Sequence, residues 1–164
     1  MRGPLPGVHP LLSPILFSFQ QAQEDLKLHA AGLTPDQVWA RPFDLVSLGF
    51  HLRHIAGSID RLTAYLERRE LSSEQLLRLS QEAQPGTDCA TLLKEFDNSI
   101  ARATQVILAV DVSALTDWRG VGRKQLPTTV IGLLVHIAEH TQRHVGQAIA
   151  AAQLVRSQVH DQHV

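Results

Sequence analysis

The nine histidines of this 164-residue chain are not spread evenly. Three of them, His136, His140 and His144, recur every four residues, and at about 100° per residue all three fall on one face of a helix. Two histidines at positions i and i+4 can reach one metal ion from adjacent turns. All three together span too much of the axis to share an ion easily. The helix is therefore predicted to supply two ligands and to leave one histidine over.

A second pair, His51 and His54, lies about one turn apart in another predicted helix. Because Leu52, Ile55 and Ile59 are candidate core residues, one of the two histidines is expected to point inward. One ligand from this helix and two from the other give three neutral nitrogens and an open coordination position, as in catalytic zinc sites. The alternative is that these are ordinary surface or core histidines. Their clustering on two helices favours the metal site.

Glu139 lies between two of these histidines, so that residues 136–140 read H-x-x-E-H. This is the arrangement of inverted zinc peptidases, but those enzymes need further acidic ligands and the match is short. A peptidase is therefore disfavoured. The carboxylate of Glu139 is predicted to orient a ligand histidine by hydrogen bonding, and the alternative is a solvated side chain.

Start and stop signals divide the chain into four long helical segments. Their candidate N-cap residues are, in chain order, Ser13, Ser47, Thr87 and Thr128 or Thr129. The helices are predicted to end near residues 31, 69, 110 and 154. Two short helices are predicted at residues 35–39 and 74–79, the second opened by a possible capping box of Ser72 and Gln75.

This pattern predicts an all-α fold, a four-helix bundle with short additional helices in the connections. The length fits one domain over residues 1–164, with residues 1–8 and 155–164 expected to be flexible. No segment shows the strict alternation of a strand. Residues 111–127 are interpreted as a long connection, of a length that is often functional or mobile.

Composition argues against several classes of function. The net charge of −1 and the lack of a basic stripe argue against a nucleic-acid partner. No apolar run reaches about 18 residues, so no membrane span is expected. The single cysteine, Cys89, excludes an intrachain disulfide and is interpreted as a small apolar helix residue. These features predict a cytoplasmic protein.

Two stretches of the sequence resemble the DinB/YfiT-like superfamily of helical-bundle metalloproteins. Residues 47–58, SLGFHLRHIAGS, are similar to the second helix of that family, where one histidine closes an apolar run. Residues 136–147, HIAEHTQRHVGQ, are similar to its last helix, which typically reads H-x-x-x-H followed by R-G-Q. The likeness covers most of the chain in helix order, but only these two motifs are specific.

The resemblance implies that His54, His140 and His144 form the metal triad. His136 matches a frequent extra histidine of the family. His51 matches no family ligand and is interpreted as a surface residue or as one that contacts a ligand but not the metal. Val145 stands where the family has arginine, but this position is not a ligand, so metal binding is unaffected. The related sulfoxide synthases read H-x-x-x-H-x-E, and this chain lacks that glutamate, which disfavours an iron oxygenase.

Family members of known activity are mainly thiol-dependent transferases and maleylpyruvate isomerases. The implied function is therefore metal-dependent transfer of a low-molecular-weight thiol to a small-molecule substrate, or hydrolysis by metal-bound water. One divalent transition metal is expected, zinc or nickel first. The alternative is a non-catalytic bundle, in which the metal ion stabilises the packing of the helices or the protein acts as a sensor of a metal or a thiol. Arg119 and Arg123 are either a carboxylate site for the thiol or ordinary loop charges, and the second interpretation is preferred.

A homodimer is also expected, because family members are commonly dimers. The last helix gives independent support, since apolar residues occupy nearly its whole circumference near both ends. A small-residue face made of Ala148, Ala151 and Ala152 is the predicted contact with the partner. The alternative is that the short helices cover this flank within one chain.

Overall fold

The computed structural model describes residues 2–161 and, for residues 159–161, the backbone alone. Within this range the chain forms α-helices connected by short turns and one hairpin. The helices are α1 (Ser13–Ala30), α2 (Pro35–Trp39), α3 (Leu48–Leu66), α4 (Ser73–Ser80), α5 (Cys89–Leu108) and α6 (Val130–Asp161). Single 3-10 turns occupy Pro42–Asp44 and Val112–Ala114. The predicted all-α fold is confirmed.

Helix starts follow the capping signals, with two shifts of one residue. Ser47 Oγ accepts a hydrogen bond from the Phe50 amide and caps α3 as predicted. The cap of α5 is Asp88 rather than Thr87, because the Asp88 carboxylate accepts the Thr91 amide. The prediction that Ser13 caps α1 is also wrong, since Ser13 is already helical and the preceding residue takes the cap position without a side-chain bond.

The four long helices α1, α3, α5 and α6 enclose one core. Helix α3 packs against both α5 and α6, while α1 packs mainly against α6 and less against α5. The helices therefore follow one another around the bundle in the order α1, α6, α3, α5. Leu52, Ile55 and Ile59 of α3 are fully buried, as their spacing predicts. This order makes α3 and α6, the two helices that carry the histidine clusters, direct neighbours.

The connection before α6 contains a hairpin that the sequence analysis missed. Strands β1 (Trp118–Val121) and β2 (Leu126–Thr129) pair antiparallel, with Trp118 opposite Thr129. Both strands have four residues, and Pro127 interrupts the second, so no alternating pattern marks them. Helix α6 follows directly and extends past the predicted end near residue 154 to Asp161.

Residues 1 and 162–164, part of the predicted flexible ends, lie outside the described residues.

The face predicted to contact a partner subunit lies inside the chain's own core. Ala148, Ala151 and Ala152 are all buried, with at most 4% of each residue exposed. The premise that this flank of α6 is left open is therefore wrong, because the chain covers it itself. The homodimer stays a prediction.

No helix in the described part of the chain is both long and apolar enough to cross a membrane.

Candidate metal centre

Three histidines converge where α3 and α6 pack together. His54 comes from α3, and His140 and His144 come from successive turns of α6. One nitrogen from each ring lies within 4.8 Å of the other two, and His54 Nε2 is 3.1 Å from His140 Nε2. Each residue is partly exposed. The family resemblance implied these three side chains as a common site, and the structure brings them together.

The orientation of His54 is set by an acidic side chain. His54 Nδ1 lies 2.7 Å from Oε2 of Glu82, in the connection between α4 and α5. Because this contact occupies Nδ1, the other ring nitrogen faces the cluster. The phenyl ring of Phe50 stacks on His54 with centroids 5.3 Å apart and an interplanar angle of 10°, which restricts the tilt of the imidazole.

The surroundings of His140 and His144 favour the neutral form of both rings. Burial, followed by the nearby rings of His144 and His54, lowers the pKa of His140 to about 4. Burial and the charge of neighbouring groups, His54 first, also lower the pKa of His144. Near pH 7 these two imidazoles therefore carry free lone pairs, which is the form that coordinates a metal ion.

The two remaining clustered histidines lie outside this group of three ligand atoms. His51 is buried, with its Nδ1 3.3 Å from Nδ1 of His144, so one of these nitrogens donates a hydrogen bond and the other accepts it. Burial, then His144 and His54, lowers the pKa of His51 to about 4. His136 lies on the exposed side of α6, with its ring 5.5 Å from that of His140.

Glu139 does not orient a ligand histidine, and that prediction is wrong. Its side chain is 46% exposed and forms an ion pair with Arg143 one turn further along α6. The other neighbour of its carboxylate is Nδ1 of His136, at 3.6 Å. Residue 139 directly precedes His140, so it points about 100° around the helix from the ligand face.

Glu82, rather than Glu139, forms the contact between a carboxylate and a ligand histidine. The sequence analysis missed this residue. Its side chain is only 7% exposed, and its Oε1 lies 2.9 Å from Nη2 of Arg61, which is also buried. Burial alone would raise the pKa of Glu82, but the hydrogen bond with His54 and the charge of Arg61 outweigh it and lower the pKa. A single glutamate in a connection gives no sequence signal of this role.

Arg119 and the lone cysteine have structural contacts, whereas Arg123 lies exposed in the turn between β1 and β2. Arg119 Nε donates to the carbonyl of Leu66 at 3.0 Å, and its Nη1 donates to the carbonyl of Trp118. These bonds tie the hairpin to the end of α3 and favour the interpretation of Arg119 as a loop residue. The Cys89 thiol is half-buried against the Ala30 carbonyl, and burial raises its pKa, as expected for a packing residue.

A cavity borders the ion pair that contacts the histidine cluster. It has a volume of about 440 Å³ and is bounded by α3, the connection after α4, and α5. Glu82 and Arg61 line it, and Glu82 also contacts His54. This ion pair therefore separates the cavity from the ring nitrogens.

Comparisons with known proteins agree with this architecture. A conserved protein from Enterococcus faecalis superposes with a TM-score of 0.72 at 17% identity, over 87% of this chain and 95% of that one. YfiT from Bacillus subtilis, described as a probable metal-dependent hydrolase with an unusual four-helix bundle topology, superposes with a TM-score of 0.66 at 14% identity, over 96% and 93%. At these identities the likeness supports the fold alone.

The comparison with sequence families is decisive for identity. None of the curated proteins compared with the chain matches it significantly. The model of the DinB superfamily matches residues 18–148, which include the two stretches on which the resemblance was based. The match confirms that resemblance and spans α3 and the histidine-bearing part of α6. The chain belongs to the DinB superfamily.

Proposed function

We propose that His54, His140 and His144 bind one divalent transition metal ion, and that the protein is a metal-dependent enzyme acting on a small molecule. The observation that carries this proposal is the approach of three ring nitrogens to within 4.8 Å of one another. Neutral imidazoles of this number and spacing suit zinc or nickel. The lowered pKa values of His140 and His144 supply that neutral form near pH 7.

An open coordination position distinguishes this proposal from a structural metal site. Structural zinc sites are closed by four protein ligands, whereas catalytic sites keep three and leave one position for water or substrate. His51 and His136 were the candidates for a fourth ligand. His51 Nδ1 faces His144, and His136 projects from the exposed side of α6, so both lie outside the group of three ligand atoms. The partial exposure of the three histidines gives a small molecule access.

Among the described residues, the two glutamates near the cluster both have charged partners, so neither is free to act as a base. Glu82 is engaged by His54 and Arg61, and Glu139 is paired with Arg143. A bound divalent ion lowers the pKa of a water or thiol on it and so provides a nucleophile without a protein base. The reaction class is therefore transfer of a low-molecular-weight thiol or hydrolysis. The resemblance supports the first, and the description of YfiT as a probable metal-dependent hydrolase supports the second.

Metal titration followed by a substrate screen tests the proposal. Chelator-treated protein is titrated calorimetrically with Zn²⁺ and Ni²⁺, and each loaded form is then assayed with thiols plus a model electrophile and with chromogenic esters. His136→Ala is the matched control for His140→Ala, because both histidines lie on α6. We expect stoichiometric binding and turnover in the wild type and the control, and loss of both in His140→Ala. Tight binding without turnover would favour the non-catalytic alternative, and absence of binding would reject the metal site.

A further inference from the structure

We propose that Glu82 is a positioning residue, which fixes the tautomer of His54 and thereby presents Nε2 to the metal. This inference rests on the proposed metal site. The contact that carries it is the 2.7 Å distance between Glu82 Oε2 and His54 Nδ1. Since an ionised carboxylate only accepts hydrogen bonds, His54 must carry its proton on Nδ1. The lone pair then lies on Nε2, which faces His140.

Tautomer control matters because a neutral imidazole offers a metal only the nitrogen without the proton. A histidine ligand whose other nitrogen donates to a carboxylate is held in one tautomer and one ring orientation, and it becomes more basic. Changes to such outer-shell partners typically cost about 10- to 100-fold in metal affinity. Among the three proposed ligands described here, His54 is the one whose second nitrogen contacts a carboxylate.

The carboxylate itself is anchored from the side opposite His54. Arg61 Nη2 lies 2.9 Å from Glu82 Oε1, and both side chains are almost fully buried. Gly57 provides the space for this pair, because a Cβ at residue 57 would lie 2.7 Å from Arg61 Nη1 and 3.0 Å from Glu82 Oε1. Arg61 therefore leaves Oε2 free for the histidine, and its charge adds to the hydrogen bond with His54 in lowering the pKa of Glu82.

The backbone that carries Glu82 is fastened to α3 on both sides of that residue. The guanidinium of Arg53 donates to the carbonyls of Gln81, at 3.0 Å, and Gln84, and to the hydroxyl of Thr87. It also lies over the ring of Trp39, 4.8 Å from the centroid. Arg53 directly precedes His54, so the helix that supplies the ligand also fixes the connection that supplies its partner.

The test compares Glu82→Gln and Glu82→Ala with Glu139→Gln, which changes the other glutamate near the cluster. Two-dimensional ¹⁵N NMR of the metal-free protein identifies the protonated nitrogen of His54. Calorimetry gives the Zn²⁺ affinity, and the visible spectrum of Co²⁺-loaded protein reports ligand geometry. Thermal unfolding of the metal-free forms measures any purely structural effect.

We expect His54 to be protonated on Nδ1 in the wild type and in Glu139→Gln, and to lose this preference in Glu82→Ala. Zn²⁺ affinity should fall about 10- to 100-fold in Glu82→Ala and by less in Glu82→Gln, whose amide oxygen still accepts the hydrogen bond. The Co²⁺ spectrum should change in Glu82→Ala and remain unaltered in Glu139→Gln. If Glu82→Ala does not fold, the isosteric Glu82→Gln carries the comparison.

Two results would overturn the proposal. One is protonation of wild-type His54 on Nε2. The other is a set of Glu82 variants that lower the unfolding temperature but leave Zn²⁺ affinity and the Co²⁺ spectrum unchanged, as a merely structural residue would. Because the tautomer is measured without metal, it decides the role of Glu82 even if the wild type binds no Zn²⁺, a result that would reject the proposed function separately.

Discussion

Two regions of the molecule each bring a glutamate close to the histidine cluster, and only one of them contacts a proposed ligand. Glu139 is adjacent to His140 in sequence, yet its side chain is 46% exposed and pairs with Arg143. Glu82 is 28 residues from His54 in sequence, yet its buried carboxylate lies 2.7 Å from that ring. Adjacency on a helix separates side chains by about 100°, so the neighbour in sequence faces away.

The two ion pairs that hold these glutamates also differ. Arg61 and Glu82 are buried between α3 and the connection after α4, so the loss of either partner leaves a buried charge uncompensated. Arg143 and Glu139 lie one turn apart on the solvent side of α6. From this comparison we expect the buried pair to affect stability and the affinity of the proposed metal site, and the exposed pair to contribute little to either.

The largest expected effect concerns the inner and outer histidines of α6. His140→Ala removes one of three proposed ligands and should lower Zn²⁺ affinity by at least about 100-fold. This is the largest loss typical of mutating a residue that contacts a ligand but not the metal itself. His136→Ala removes an exposed ring on the same helix and should leave affinity within about threefold of the wild type, because His136 lies outside the group of three ligand atoms. Calorimetric titration measures both. Equal losses would show that the ligand set includes His136.

The second effect is on stability. Arg61→Ala leaves a buried carboxylate without its charge partner and should lower the free energy of unfolding by roughly 3–5 kcal/mol. Arg143→Ala breaks the exposed pair and should cost below about 1 kcal/mol. Urea denaturation of the metal-free proteins gives both values. Similar losses in the two variants would contradict the distinction between the buried and the exposed pair.

The third effect is a pH dependence of the metal-free protein. The pKa values of His51 and His140 are about 4 in the folded chain and 6.5 in the unfolded one. As the pH falls from about 6.5 to about 4, the unfolded chain therefore binds protons that the folded chain does not, and stability decreases. We expect the unfolding temperature to fall by roughly 5–10 °C across this window.

His51→Gln is the control for this pH dependence, since it removes one of the histidines with a lowered pKa and the contact with His144. Its unfolding temperature should depend less steeply on pH between about 6.5 and 4. A wild-type unfolding temperature that is constant over this range would mean that the buried histidines titrate equally in both states.

The parts of the molecule that the sequence predicted are those with local signals. Helical periodicity and capping residues located α3 and its cap Ser47, and four-residue spacing placed His140 and His144 on one face. The hairpin was missed because its two strands are only four residues long and carry no alternating pattern. Glu82 was missed for a different reason, since its partners Arg61 and His54 are distant in sequence and belong to α3.

The smallest expected effect is a change in the free energy of unfolding when a methyl group is added next to the Arg61–Glu82 ion pair. Gly57 and Gly146 both lie within long helices, so replacing either with alanine should gain about 0.5–1 kcal/mol from helix propensity. A Cβ at Gly146 has no neighbour within 4 Å, and Gly146→Ala should realise this gain. A Cβ at Gly57 meets Arg61 Nη1 at 2.7 Å, and the displacement of a packed buried side chain typically costs about 1–3 kcal/mol.

Gly57→Ala should therefore show no gain, or a loss of up to about 2 kcal/mol, in the free energy of unfolding. It should also lower Zn²⁺ affinity severalfold, because displacing Arg61 moves Glu82 and with it the hydrogen bond to His54. Urea denaturation and calorimetric titration of the two variants, measured side by side, separate crowding from helix propensity. Equal stabilisation by both substitutions, with unchanged affinity, would mean that Arg61 moves away from residue 57 without disturbing Glu82. The carboxylate would then be held by its own connection and the Arg53 contacts rather than by the ion pair.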